Sequence, residues 1–142
     1  MKVMLVEPPK ETWFVMGEYL PPPLGILQLA SYIDANNEGL DIQVLDCQAQ
    51  GIDWRELEDR VGSFQPDVFA PSALATCNVY TCARAVEIAK TVVPDSLTVV
   101  GGQHFTALPE ESLKAYREID VVVRGEGEIT FSELLKARES AS

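Results

Sequence analysis

PDVFAPSALATCNVYTCARAVEIAKTVVPDSLTVVGG, residues 66–102, carries the decision about the fold. It opens on a Pro66-Asp67 turn that feeds a short apolar run, Val68-Phe69-Ala70. After Asn78, a suitable helix cap, Val79, Ala83, Val86 and Ala89 recur at helical spacing. Pro94 stops that helix, and Leu97-Thr98-Val99-Val100 follows as a second β-rich run, closed by Gly101-Gly102. Neither run alternates polar and apolar residues, so both of its faces are expected to be covered. A strand, a helix and a strand in this order make a parallel unit with a crossover helix.

The same alternation extends in both directions. Upstream, Lys2 to Glu7 reads as a first strand ended by Pro8-Pro9. Residues 10–23 form a long loop closing on Pro21-Pro22-Pro23, and loops of that length in compact domains are usually functional. Leu24 to Asn36 follows as a helix with its stripe at Ile26, Leu27, Leu29, Ala30 and Ile33. Asp41 to Leu45 is the second strand. Asp53, with Glu56 three residues on, starts a helix running to about Ser63 through a capping box. Downstream, Pro109 begins a short helix, a first-turn position that suits proline. Ile119 to Val123 is the fifth strand, and Ile129 to Ala137 the last helix. Five alternations specify an α/β, doubly wound, five-stranded parallel sheet of flavodoxin-like (Rossmann-like) type. The expected strand order is 2-1-3-4-5, with a ligand crevice at the carboxyl ends of the first and third strands.

Bulk properties narrow the function. The chain has 142 residues, the size of one domain, with 22 acidic and 11 basic side chains and a net charge of −11. That charge repels phosphate backbones and anionic lipid, so neither nucleic acid nor membrane is an expected partner. No apolar run reaches transmembrane length. Cys47, Cys77 and Cys82 form neither a paired framework nor a metal-ligand spacing, and read as buried free thiols of a cytoplasmic protein.

The residues after each strand test the usual ligands of this fold. A dinucleotide needs a glycine-rich turn after the first strand, and Glu7-Pro8-Pro9 removes two amide donors there. A flavodoxin phosphate loop fails for the same reason. A phosphoacceptor aspartate at the end of the third strand is replaced by Ala70-Pro71-Ser72. What remains is Ser72-Ala73-Leu74 after the third strand, Gly101-Gly102 after the fourth and Gly125-Glu126-Gly127-Glu128 after the fifth. Glycines there let a bulky flat ligand lie against the backbone. Carboxylates at a helix start are stabilised by its dipole. Each piece also has an ordinary reading: a turn for either glycine group, a cap for Ser72, core for Leu74.

Ser-x-Leu after the third strand and Gly-Gly after the fourth resemble the corrinoid-binding domains of methionine synthase and the cobalamin mutases. A closer resemblance covers almost the whole chain. VMLVEPP (3–9), PPPLGILQLASYI (21–33), VLDCQAQ (44–50), PDVFAPSA (66–73), VVGGQHFTALPEESL (99–113) and VVVRGEGEITFSELL (121–135) resemble the N-terminal domain of cobalamin-dependent radical SAM proteins. That family includes methyltransferases and an anaerobic cyclase of magnesium-protoporphyrin monomethyl ester. The resemblance implies that residues 1–142 are a cobalamin-binding domain, with the cofactor's benzimidazole tail in the crevice. The Ser72 hydroxyl would bond the tail's ring nitrogen, with Leu74 beside it. Gly101 and Gly102 would make room for the tail. Gly125, Glu126 and Gly127 would meet the cofactor's ribose or amide arms. A leucine at 102 is expected to fill the tail's space while leaving the strand end intact, provided φ is negative there.

Two departures from the wider corrinoid pattern carry information. An Asp-x-His-x-x-Gly motif after the first strand, source of the histidine ligand to cobalt, is missing. Binding is therefore expected base-off without a protein imidazole, as the radical SAM subclass implies. His104, the one histidine of the chain, reads as structural. The Cys-x-x-x-Cys-x-x-Cys motif for a 4Fe-4S cluster is also missing, and the sequence stops inside a predicted helix. The expectation is a fragment of a longer enzyme, whose radical SAM domain holds the cluster and S-adenosylmethionine. That domain would be the partner, with Trp13, Phe14, Met16 and Tyr19 covering the corrin or meeting it. The isolated chain should show no turnover. Two other readings stay open: a degenerate docking or substrate-recognition module that no longer binds cobalamin, and an unrelated small-molecule sensor.

Overall fold

The computed structural model describes residues 1–9, 24–72 and 79–141. The order of elements is β1 (Lys2–Glu7), α1 (Leu24–Asn36), β2 (Asp41–Asp46), α2 (Trp54–Phe64), β3 (Val68–Pro71), α3 (Val79–Val92), β4 (Leu97–Val100), α4 (Gln103–Ala107), α5 (Pro109–Ala115), β5 (Val121–Val122) and α6 (Glu128–Ser140). The strands pair in the order β2-β1-β3-β4-β5, and every pairing is parallel. This is the expected doubly wound, flavodoxin-like topology.

Strand periodicity divides the core into two layers. Val3, Leu5, Val68, Ala70 and Val99 point to one face and pack with Ile26 and Ile33 of α1 and Phe131 and Leu135 of α6. Met4, Val6, Phe69 and Val100 point to the other, against Leu57, Val61 and Phe64 of α2 and Cys82, Ala85, Val86 and Ala89 of α3. The inner strand β1 is buried on both sides from Val3 to Val6, which is why that run is uninterruptedly apolar. Of the stripe expected on α1, Ile26 and Ile33 are buried, whereas Leu27 is exposed.

Local signals acted largely as read. The Asp53 carboxylate accepts the Glu56 N–H at 2.8 Å and caps α2. The Glu56 side chain turns instead to Arg60, at 3.1 Å, one helical turn on. Pro109 occupies the first turn of α5. Gly39 takes a φ of 70° just beyond α1. Two features differ from the expectation. β5 pairs only through Val121 and Val122, because β4, its neighbour, ends at Val100. The five-residue α4 lies between Gly102 and Leu108, in a segment with no helical stripe.

Asn37, just past α1, and Ser132 of α6 form a reciprocal pair. The Ser132 hydroxyl donates to Asn37 Oδ1 at 2.7 Å, and Asn37 Nδ2 donates to the Ser132 carbonyl at 3.1 Å. The two helices on that face are thereby tied together. Among the described residues no helix is long and apolar enough to cross a membrane.

Candidate functional site

A cleft of about 610 Å3 opens at the carboxyl edge of the sheet, between it and the helices α1 and α6. Its volume lies within the range of small-molecule and cofactor pockets. Leu5, Ala70, Val99, Val123 and Phe131 form an apolar floor. Gly25, Ile26, Gln28 and Leu29 supply a wall from α1. Ser72, Gly101, Gly102, Thr106 and the turn from Gly125 to Glu128 supply the rim.

Of the expected site residues, Ser72, Gly101, Gly102, Gly125, Glu126 and Gly127 line this cleft. Ser72 continues the sheet beyond β3: its N–H bonds the Val6 carbonyl at 3.1 Å, and it bridges to Gly101. By strand alternation Gly101 faces the same side as Val99, toward the cleft. A Cβ at 101 would meet Val123 O at 3.7 Å, an ordinary contact, so a side chain there would extend into the opening. Gly102 caps α4 with φ 113° and ψ 176°. The proviso attached to leucine at 102 therefore fails: φ is positive, and a side chain would strain the backbone. Gly101, with no such backbone demand, is the position that separates ligand space from folding.

In the following turn, Gly125 takes φ 67°, and its N–H bonds the Thr106 hydroxyl at 2.9 Å. Gly127 precedes α6, and a Cβ on it would fall 2.9 Å from Val123 Cγ1, so packing within the fold already accounts for this glycine. Glu126 stands on the rim two residues ahead of the helix, while Glu128 is its first residue. Leu74 lies outside the described residues, as do Cys77, the Asn78 cap and the aromatic loop of residues 10–23.

Several lining residues escaped the sequence reading: Gly25, Gln28 and Leu29 on α1, Thr106 and Ala107 on α4, and Phe131 on α6. Phe131 was legible only as a member of a helix, and Thr106 sits in the helix that gave no periodic signal.

His104 lies in the first turn of α4 and is not among the residues lining the cleft. Its ring meets Phe105 edge-on, with centroids 5.5 Å apart. Cys47 and Cys82 are sealed into the opposite face of the sheet. Burial, reinforced by the charges of Asp46 and Glu7, pushes the Cys47 thiol up to about 12. Burial and Glu7 raise Cys82 as well. Both stay protonated at neutral pH, which leaves them without thiolate reactivity. Among the described residues no group of three or more His, Cys, Asp or Glu side chains could hold a metal ion.

Residues 16–135 match the B12 binding domain family. The chain belongs to that family. This B12-binding domain is 36% identical over 139 residues to an "uncharacterized methyltransferase" of Pyrococcus horikoshii, covering 96% of the chain and 29% of the relative. It is 33% identical over 116 residues to the anaerobic magnesium-protoporphyrin IX monomethyl ester cyclase of Rubrivivax gelatinosus, covering 82% of the chain and 20% of the relative. The chain thus spans less than a third of these curated relatives. Among solved structures, the cobalamin-dependent S-adenosylmethionine radical enzyme OxsB, with aqua-cobalamin and S-adenosylmethionine bound, superposes with a TM-score of 0.78 at 19% identity. That match covers 98% of this chain and 19% of that one, and it bears out the fold.

Proposed function

We propose that this domain binds cobalamin base-off, with the benzimidazole tail in the cleft and no protein imidazole on cobalt. The observation that carries the reading is Gly101: the missing side chain opens directly into a cleft with an apolar floor and a hydroxyl-bearing residue, Ser72, across the bridge. An apolar slot with a few polar groups at its rim suits a flat heterocycle joined to a ribose phosphate. In this reading the Ser72 hydroxyl holds the tail's ring nitrogen; Leu74 is carried over from the resemblance alone. Gly101 and Gly102 let the tail approach the backbone, and the Gly125-Glu126-Gly127 turn meets ribose or amide arms. When bound, cobalamin supplies a cobalt centre able to carry a methyl group or to assist radical chemistry. The protein's part is placement and exclusion of water.

We further propose that the parent is a longer cytoplasmic radical SAM enzyme, a methyltransferase or cyclase, with its 4Fe-4S cluster and S-adenosylmethionine in a separate domain. The relatives' names and greater length support this. The test begins with a hydroxocobalamin titration followed by absorption. Saturable binding with the base-off spectrum is expected; no binding would favour the docking-module reading. Electron paramagnetic resonance of the cobalt(II) form then examines the metal. Nitrogen superhyperfine splitting that vanishes in His104→Ala would make His104 the ligand and refute the imidazole-free claim. Splitting that persists in that variant would refute the base-off claim.

A further inference from the structure

Thr106 touches both glycine turns of the cleft rim. Its backbone N–H bonds the Gly102 carbonyl at 3.0 Å, closing the first turn of α4 onto the turn after β4. Its hydroxyl accepts the Gly125 N–H at 2.9 Å, holding the turn after β5 nineteen residues away. Gly125 has φ 67°, and a Cβ there would meet nothing within 4 Å, so this glycine answers to its backbone conformation and not to close packing at Cβ. Accepting that bond leaves the hydroxyl's own proton for donation, and Thr106 lines the cleft.

We propose that Thr106 is a positioning residue for the cleft. Its hydroxyl fixes the Gly125-Glu126-Gly127 turn at the distance from Gly102 that a bound cofactor needs, and its proton is available to an acceptor on that cofactor. This rests on the cobalamin reading of the cleft. Two substitutions separate the hydroxyl from the shape of the side chain. Valine has the same shape without the hydroxyl, and serine keeps the hydroxyl without the methyl group.

The experiment uses Thr106→Val and Thr106→Ser in the same chain. Solvent exchange of the Gly125 amide is measured by NMR without cofactor, and hydroxocobalamin affinity by absorption titration. Thr106→Val is expected to speed exchange at Gly125 and to weaken binding about three- to tenfold, the worth of one hydrogen bond. Thr106→Ser is expected to restore both. Unchanged Gly125 exchange in Thr106→Val would overturn the positioning role. So would equal loss of affinity in both variants, because the hydroxyl would not be the cause. Faster exchange with unchanged affinity would show that the turn is not part of the site. If the parent chain binds no cobalamin, the cobalamin reading falls by itself, and the Gly125 exchange rates still decide whether Thr106 holds the turn. A thermal melt without cofactor guards the comparison, since a variant that failed to fold would broaden the whole spectrum rather than Gly125 alone.

Discussion

β4 and β5 are held very differently at their two ends. At the amino end the Asp120 carboxylate accepts the Lys90 ammonium at 2.6 Å, the Thr98 N–H at 3.0 Å and the Thr98 hydroxyl at 3.2 Å. The Thr98 hydroxyl shares its single proton between that carboxylate and the Glu118 carbonyl, and Lys90 also donates to Ser96 O at 2.7 Å. Along the same edge the Lys2 N–H bonds the Asp67 carboxylate at 2.7 Å, and the amino terminus bonds the Gly39 carbonyl at 2.9 Å. At the carboxyl end the same strands run out into Gly101-Gly102 and the Gly125 turn, and the cleft begins. Register and strand spacing are thus secured by charged and polar side chains at one edge. The opposite edge is thereby free to give up side chains for ligand space.

The strongest challenge to this division is Gly101→Leu. Hydroxocobalamin affinity should fall by about 100-fold or more, since the side chain would occupy the tail's space. That corresponds to about 3 kcal/mol. Unfolding free energy in urea should change by less than about 1 kcal/mol, because the added group grows into open space. Equal losses in both would make the carboxyl edge structural and erase the contrast.

At the other edge, Asp120→Ala should lower the unfolding free energy by about 2 kcal/mol, as it leaves Lys90 and the Thr98 N–H short of a partner. Cofactor affinity of the folded protein should hold within about twofold. A large loss of affinity would show that the two ends are coupled through the short β5 strand.

A smaller effect comes from acid. Burial by itself raises the Asp120 carboxyl, but the bond from Lys90, the Thr98 N–H, the Lys90 charge and the Thr98 hydroxyl together outweigh it, so the carboxyl lies below its ordinary 3.8. The folded chain then binds fewer protons there than the unfolded one. Its contribution to stability is present above the unfolded value and is lost as pH falls from about 4 through the folded pKa. Wild type should therefore lose more stability than Asp120→Asn over that window, in melts recorded between about pH 5 and pH 2.5. Parallel curves would remove Asp120 as a source of the amino edge's strength.

The contrast also explains what the sequence revealed. Continuous runs such as Val3-Met4-Leu5-Val6 are legible because a strand buried on both faces has no room for polar residues. Glycine turns after strands are legible because backbone demands restrict the choice of residue, as Gly102 and Gly125 show with their positive φ. Gly127 is harder, since its missing Cβ answers to Val123, a neighbour that only the folded turn provides. The wall from α1 was not legible, because which residues of a helix overhang a sheet edge depends on the crossover rather than on local pattern. Nor was α4, whose QHFTA has no apolar repeat and is held by the buried Phe105 and by the bond from Thr106 to the Gly102 carbonyl. Missing that helix concealed Thr106. The Lys90–Asp120 contact is separated by 30 residues, beyond the reach of any spacing rule.

The reciprocal Asn37–Ser132 pair bears on how the cleft is filled. α1 and α6 flank it as two jaws, and the pair joins them at one point. On the proposed cobalamin reading, a pivot about that pair would admit the ligand end-on from the carboxyl edge. Phe131 and the apolar floor close the cleft on its inner side.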